Sequence, residues 1–268
     1  MAQEYCYLIT ALPEMIEGGG KGFSYGKIRQ LIVEELLDED VELLKLLLLQ
    51  YDNVNLFNTL NKKIAAGTAS FDTRGWFSQA EMEGFAAEFD TLPEYLQIFL
   101  QNYKDGKDAV SGIGLLEQLY YLYYSEISQK NDWFAQWADF SADLQNVVAA
   151  ANARELGIAP DKSVIPFNDN ADKIAKSRAA DFGLGNSISW IEQINKNFAN
   201  PVALEEAIDE IYWKKADELA DGKWFGIENV LGIMVKANSI ERWLRLDTDK
   251  GIARANDLIE KLKSSVRK

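Results

Sequence analysis

The sequence predicts an all-α, multi-lobed protein built from repeated helical units, and three observations carry its helical character. Apolar residues recur three and four positions apart in segment after segment, while almost nothing alternates with period two. Only 5 prolines interrupt 268 residues, which suits long helices. Capping residues stand where the periodic runs begin, and Gly or Pro where they end. Hydrophobic residues make up 47% of the chain, so it can bury real cores and disorder is excluded. Its 7 Trp, 11 Tyr and 13 Phe mean that much of the packing is done by rings.

Taken in order, Tyr5–Thr10 reads as a short extended opening, and Gly18, Gly19, Gly20 and Gly22 as a mobile loop. The loop fails as a phosphate cradle, because Gly26-Lys27 is followed by Ile28 where Ser or Thr is needed. A helix is expected over about 27–37, and then Asp38-Glu39-Asp40 caps a second one over about 41–62. That second helix is apolar nearly all round, from Leu43 to Phe57, so it belongs at the centre of a lobe. Shorter helices follow at about 78–89, 93–103 and 115–128, the last carrying Tyr120, Tyr121, Tyr123 and Tyr124. These tyrosines are expected to be half-buried, with hydroxyls to water. Asn131 or Asp132 caps a long helix striped with Trp133, Trp137, Phe140, Leu144 and Val148, which Gly157 and Pro160 stop. The polar stretch 160–170 reads as a linker between N-terminal helical lobes (1–159) and a C-terminal helical lobe (171–268). Beyond it, helices are expected at about 171–182, 187–199, 201–219 and 227–246, the third of these capped by Asn200. A turn at 247–251 leads to a last helix with Ile252, Ala255, Ile259, Leu262 and Val266 on one stripe.

Composition also excludes chemistries. A net charge of −14 repels polyanions, so nucleic acid is not an expected partner. Without histidine, and with Cys6 as the single cysteine, the usual acid–base group and the thiolate zinc site are both missing. Cys6 is expected as a packed side chain in a reducing compartment. Asp247, Asp249 and Gly251 suggest a calcium loop, but Leu258 stands where its closing Glu belongs. No catalytic, metal-binding or cofactor-binding residue is expected, and no cofactor. The N-terminal stretch, with no basic start and no long apolar run, is not expected to act as a signal peptide. No apolar run approaches the ~20 residues that cross a bilayer.

One polar pattern stands above background. Asp52-Asn53-Val54-Asn55-Leu56 lies inside the most apolar helix, and Asp143-Leu144-Gln145-Asn146-Val147 inside the aromatic one. Each puts an Asp and an Asn on one helical face, which is costly in an apolar setting unless donors and acceptors meet them. Asp52, Asn55, Asp143 and Asn146 are therefore the candidate structural repeat motif.

The Leu46-Leu47-Leu48-Leu49 run leading into that motif, and the second copy near Phe140–Val147, resemble the helical repeats of the V-type/A-type rotary ATPase central stalk. The likeness is to its C-type (in eukaryotes d-type) subunit family. Two further anchors keep that family's order: Tyr7-Leu8-Ile9-Thr10-Ala11 at the start, and Gly232–Lys236 leading to Ile240–Leu246 near the end. Gln50 and Ser141 replace the acidic residue that usually stands two before the motif Asp, and the first motif comes early. The chain thus reads as a divergent, shortened relative. The resemblance implies a non-catalytic central-stalk subunit that joins the rotor shaft to the membrane rotor ring for proton or sodium transport. It would be cytoplasmic and held at the membrane through protein partners alone. Arg242, Trp243 and Arg245 are the candidate partner contacts. Two other readings remain open on the residues: a helical adaptor for another complex, and a small-molecule binder with an aromatic pocket at Tyr120–Tyr124.

Overall fold

The computed structural model describes residues 4–16 and 23–245. The glycine loop at 18–22, the turn at 247–251 and the helix expected at 252–266 lie outside the described residues. Those described form eleven α-helices and one 3-10 turn, with no strand among them. The described residues are all-helical, as the periodicity predicts.

The helices are α1 (Cys6–Ala11), α2 (Tyr25–Glu35), α3 (Asp38–Leu60), α4 (Gln79–Gly84), α5 (Glu94–Asp105), α6 (Leu115–Ile127), α7 (Asp132–Glu155), α8 (Asp169–Lys176), α9 (Trp190–Asn197), α10 (Pro201–Ala220) and α11 (Ile227–Arg245). Several ends follow the expected chemistry. The Asn131 side chain accepts from the Phe134 N–H at 2.9 Å and so caps α7. Gly157, at φ +67°, ends it in the left-handed region that glycine enters freely. Asn200 Oδ1 accepts from the Val202 and Ala203 N–H groups at the start of α10. Ser78 and Glu81 form a reciprocal capping box on α4.

Other ends differ from expectation. Tyr5–Thr10 is not extended. Its aromatic and β-branched residues favour a strand, but with no sheet beside it the segment satisfies its own backbone as α1 and buries Leu8. Asp38, Glu39 and Asp40 supply the first-turn charges expected of them, but α3 begins at Asp38 and not at about residue 41, so they do so from inside the helix. α8 stops at Lys176 instead of reaching residue 182, because Arg154 at the end of α7 captures the next carbonyls. Its Nη1 donates to Ala179 O and its Nη2 to Ser177 O, at 2.9 and 2.6 Å.

The chain forms two units, one of residues 1–37 and 212–268 and the other of 38–211. In the first, α2 packs against α1 and α11. Tyr5 fastens this unit twice: its N–H donates to Phe225 O at 2.6 Å, and its hydroxyl accepts from the Leu37 N–H. In the second, α6 packs against α3, α5 and α7, and α8 packs on α7. Leu44, Leu47, Leu48 and Leu49 of α3 are fully buried there, as are Phe134, Ala138, Ala142 and Val147 of α7. The 160–170 stretch lies within this second unit, with a 3-10 turn at Pro160–Lys162.

Candidate functional site

The two Asp-x-x-Asn elements place their side chains in the interior of the larger unit. Asp52 and Asn55 are 1% exposed, Asp143 7% and Asn146 0%. Buried polar groups of this kind require partners, and each element finds them in the segment that follows its own helix.

On α3, Asn55 pairs with the main chain of Asp72. Its Nδ2 donates to Asp72 O and its Oδ1 accepts from the Asp72 N–H, both at 2.8 Å. The side-chain amide thus offers one donor and one acceptor to a single residue, as a neighbouring β-strand would. Asp52 accepts the next donors: the Trp76 N–H at 2.6 Å and, at a longer 3.4 Å, the Phe77 N–H. The residue just before them is Gly75, where a Cβ would run into the Asp52 carboxylate. The side chain of Asp72 in turn pairs with Arg74, whose guanidinium lies 4.3 Å over the ring of Tyr51 on α3. The segment 72–77 that follows α3 is therefore tied back to it at several points.

On α7, Asn146 repeats the arrangement with Ile165, donating to its carbonyl at 2.9 Å and accepting its N–H at 2.7 Å. Asp143 differs. It accepts from the side-chain amides of Asn168 (3.0 Å) and Asn170 (2.8 Å). Asn168 Oδ1 also accepts from the Ala171 N–H and so caps α8. Burial, the largest influence, raises the Asp143 carboxyl above its ordinary 3.8, against the pull of the two amides.

Around α3 the tyrosine cluster closes the core. Tyr123 Oη donates to Leu46 O at 2.8 Å and Tyr120 Oη to Gln50 O at 3.1 Å, each using the second lone pair of a carbonyl already in the helix. Tyr124 Oη donates to Gln145 on α7. These hydroxyls meet protein groups, not the water expected from sequence. Tyr95 Oη donates to Asn53 Oδ1 at 2.8 Å, and burial pushes this phenol well above its ordinary value. The Tyr95 N–H donates to Glu126 Oε2 at 2.7 Å, so a carboxylate of α6 covers the start of α5.

Arg242, Trp243 and Arg245 lie at the end of α11, in the smaller unit, whereas the four motif residues belong to the larger one. The Arg242 guanidinium is 5.5 Å from the neighbouring Trp243 ring, and Arg245 Nε donates to Glu241 at 2.7 Å. Gly75, Asn168 and Asn170 are the site residues that the sequence pattern does not single out. Gly75 carries a visible signal, a glycine within a polar turn after a buried Asp. The two asparagines are hidden in a stretch that reads as generic linker.

Among the described residues no group of three or more carboxylates, cysteines or histidines is placed to hold a metal ion. No helix among them is long and apolar enough to cross a membrane. No curated protein and no solved structure matches the chain. Residues 1–266 match the family described as "Protein of unknown function (DUF2764)". That match spans nearly the whole sequence, and the chain belongs to the DUF2764 family.

Proposed function

We propose that this chain is a non-catalytic central-stalk subunit of a V/A-type rotary ATPase, a divergent relative of the C-type stalk proteins. It would connect the rotor shaft to the membrane rotor ring and bind no cofactor of its own. The observation that carries the reading is the doubled fastening. Two apolar helices, α3 and α7, each use an Asp and an Asn one turn apart to grip the segment that follows. This arrangement supports descent of the two regions from one structural unit, as the resemblance to the stalk family implies. A rotor adapter transmits torque, so a helical body whose connecting segments are locked to its core suits the task. Asp52, Asn55, Asp143 and Asn146 then hold the architecture. Contacts to the shaft and ring fall to surface residues, exposed Arg245 and half-buried Arg242 among them.

The test is affinity purification of the tagged protein from its native membranes, with co-purifying proteins identified by mass spectrometry. Recovery of rotor-ring and shaft proteins is the expected result. Their absence, from membranes in which the ATPase is active, would sink the stalk reading and leave a helical adaptor of another complex.

A further inference from the structure

The α7 fastening contains a pair of carboxylates that its α3 counterpart lacks. Asp139 and Asp143 stand one helical turn apart on α7, the spacing at which like charges oppose each other. Both take the same donor. Asn168 Nδ2 lies 3.0 Å from Asp143 Oδ1 and 3.4 Å from Asp139 Oδ1. Asp139 is exposed, whereas Asp143 is 7% exposed. The other charged group acting on Asp143 is Lys173, on α8. Two carboxylates that share one amide, one of them buried, are relieved by a single proton. Asn168 caps α8, and Asn170 lies in its first turn. The protonation state of the pair therefore bears on how the start of α8 is held.

We infer that the attachment of α8 to α7 at Asp143 is proton-linked: residues 165–176 are held more tightly when Asp143 carries a proton than when both carboxylates are ionised. This linkage is independent of the stalk reading. Its sign follows from the proton balance of the two states. Asp143 titrates above its ordinary value in the folded protein, chiefly because it is buried and secondarily because Asp139 faces it. The fastened state therefore takes up a proton more readily than a released one. The added hold is complete below the ordinary aspartate range and is lost as pH rises through the raised value.

The test is amide hydrogen exchange of residues 165–176 between pH 4 and 7, corrected for intrinsic exchange rates, together with the NMR titration of the Asp143 carboxyl carbon. In the native protein, protection of the Ile165 and Ala171 amides should rise several-fold on acidification, with the midpoint of the Asp143 titration. In Asp143→Asn protection should stay constant across the range. In Asp139→Asn, which alters only an exposed group, the fold is retained and the Asp143 midpoint should move down. Protection that is flat or falls on acidification in the native protein overturns the inference. So does an Asp143 carboxyl that titrates at or below the ordinary value, or a midpoint unmoved in Asp139→Asn.

Discussion

The segments after α3 and α7 are fastened by the same two residue types at the same spacing, yet the two fasteners are not equivalent. The Asn does one job in both. Asn55 and Asn146 each pair with both main-chain groups of one residue, 17 and 19 positions downstream. The Asp does two jobs. Asp52 meets main-chain N–H groups, which are fixed in place, whereas Asp143 meets the side-chain amides of Asn168 and Asn170, of which that of Asn170 can rotate and present oxygen instead. A motif thus specifies a fastening without specifying how rigid it is. The partner segment decides that.

The comparison can be broken by mutation, and the largest effect is expected at the shared element. Asn146→Ala leaves both main-chain groups of fully buried Ile165 without their side-chain partner. It should cost about 4 kcal/mol in denaturant unfolding, since each orphaned buried group costs ~1–3 kcal/mol. Asn55→Ala should cost less, about 2–3 kcal/mol by the same rule, because Asp72 is only partly buried. Equal costs would show that burial of the partner is not what sets the scale.

Next comes the difference between the aspartates. Asp52→Asn sets an amide NH₂ against fixed N–H donors and should cost about 3 kcal/mol. Asp143→Asn keeps an acceptor, lets an asparagine partner rotate and removes a buried charge. It should fall within about 1 kcal/mol of the native protein at neutral pH. If the two variants unfold at the same denaturant concentration, the distinction between fixed and rotatable donors fails.

Gly75→Ala should cost about 2 kcal/mol through the clash with the Asp52 carboxylate. In an Asp52→Ala background most of that penalty should vanish, as a double-mutant cycle would reveal. A penalty unchanged in that background would assign Gly75 to some other constraint.

A smaller cost than that of Gly75→Ala is expected where α3 carries Asn53 next to its Asp and α7 carries Leu144. Tyr95→Phe removes the donor to Asn53 Oδ1, and should cost about 1–2 kcal/mol for one orphaned buried acceptor. Combining it with Asn53→Leu, which copies α7, should recover much of the loss, because an apolar pair demands no partner. Additive losses would mean that the Asn53–Tyr95 bond contributes more than its local replacement can supply.

Much of the fold is legible in the sequence. The long helices α3, α7, α10 and α11 follow from apolar periodicity, and the starts of α7 and α10 from Asn131 and Asn200. α1 escapes because its residues favour strands locally, and the partner that decides the matter, the Phe225 carbonyl, is distant in sequence. The end of α8 escapes for a similar reason: Arg154, 23 residues before Ser177, sets it. For the candidate site, the sequence exposes the demanding half of each fastener, since a buried Asp or Asn in an apolar helix calls for partners. It does not name those partners, because main-chain N–H and C=O groups carry no residue signature. Asn168 and Asn170 are recognised only once the backbone is traced past them.

The reach of these fasteners bears on how the chain acquires its structure as it is made. The bonds that Asp52 and Asn55 make to residues 72–77 join positions 17 to 25 apart, and those from Asp143 and Asn146 to residues 165–170 join positions 19 to 27 apart. Each can therefore close soon after its own helix and the next two dozen or so residues leave the ribosome, without waiting for the rest of the protein. Short-range closures cost little loop entropy and form early. The order of synthesis thus favours two locally completed pieces, α3 with its loop and later α7 with α8, which afterwards need only be brought together by α5 and α6.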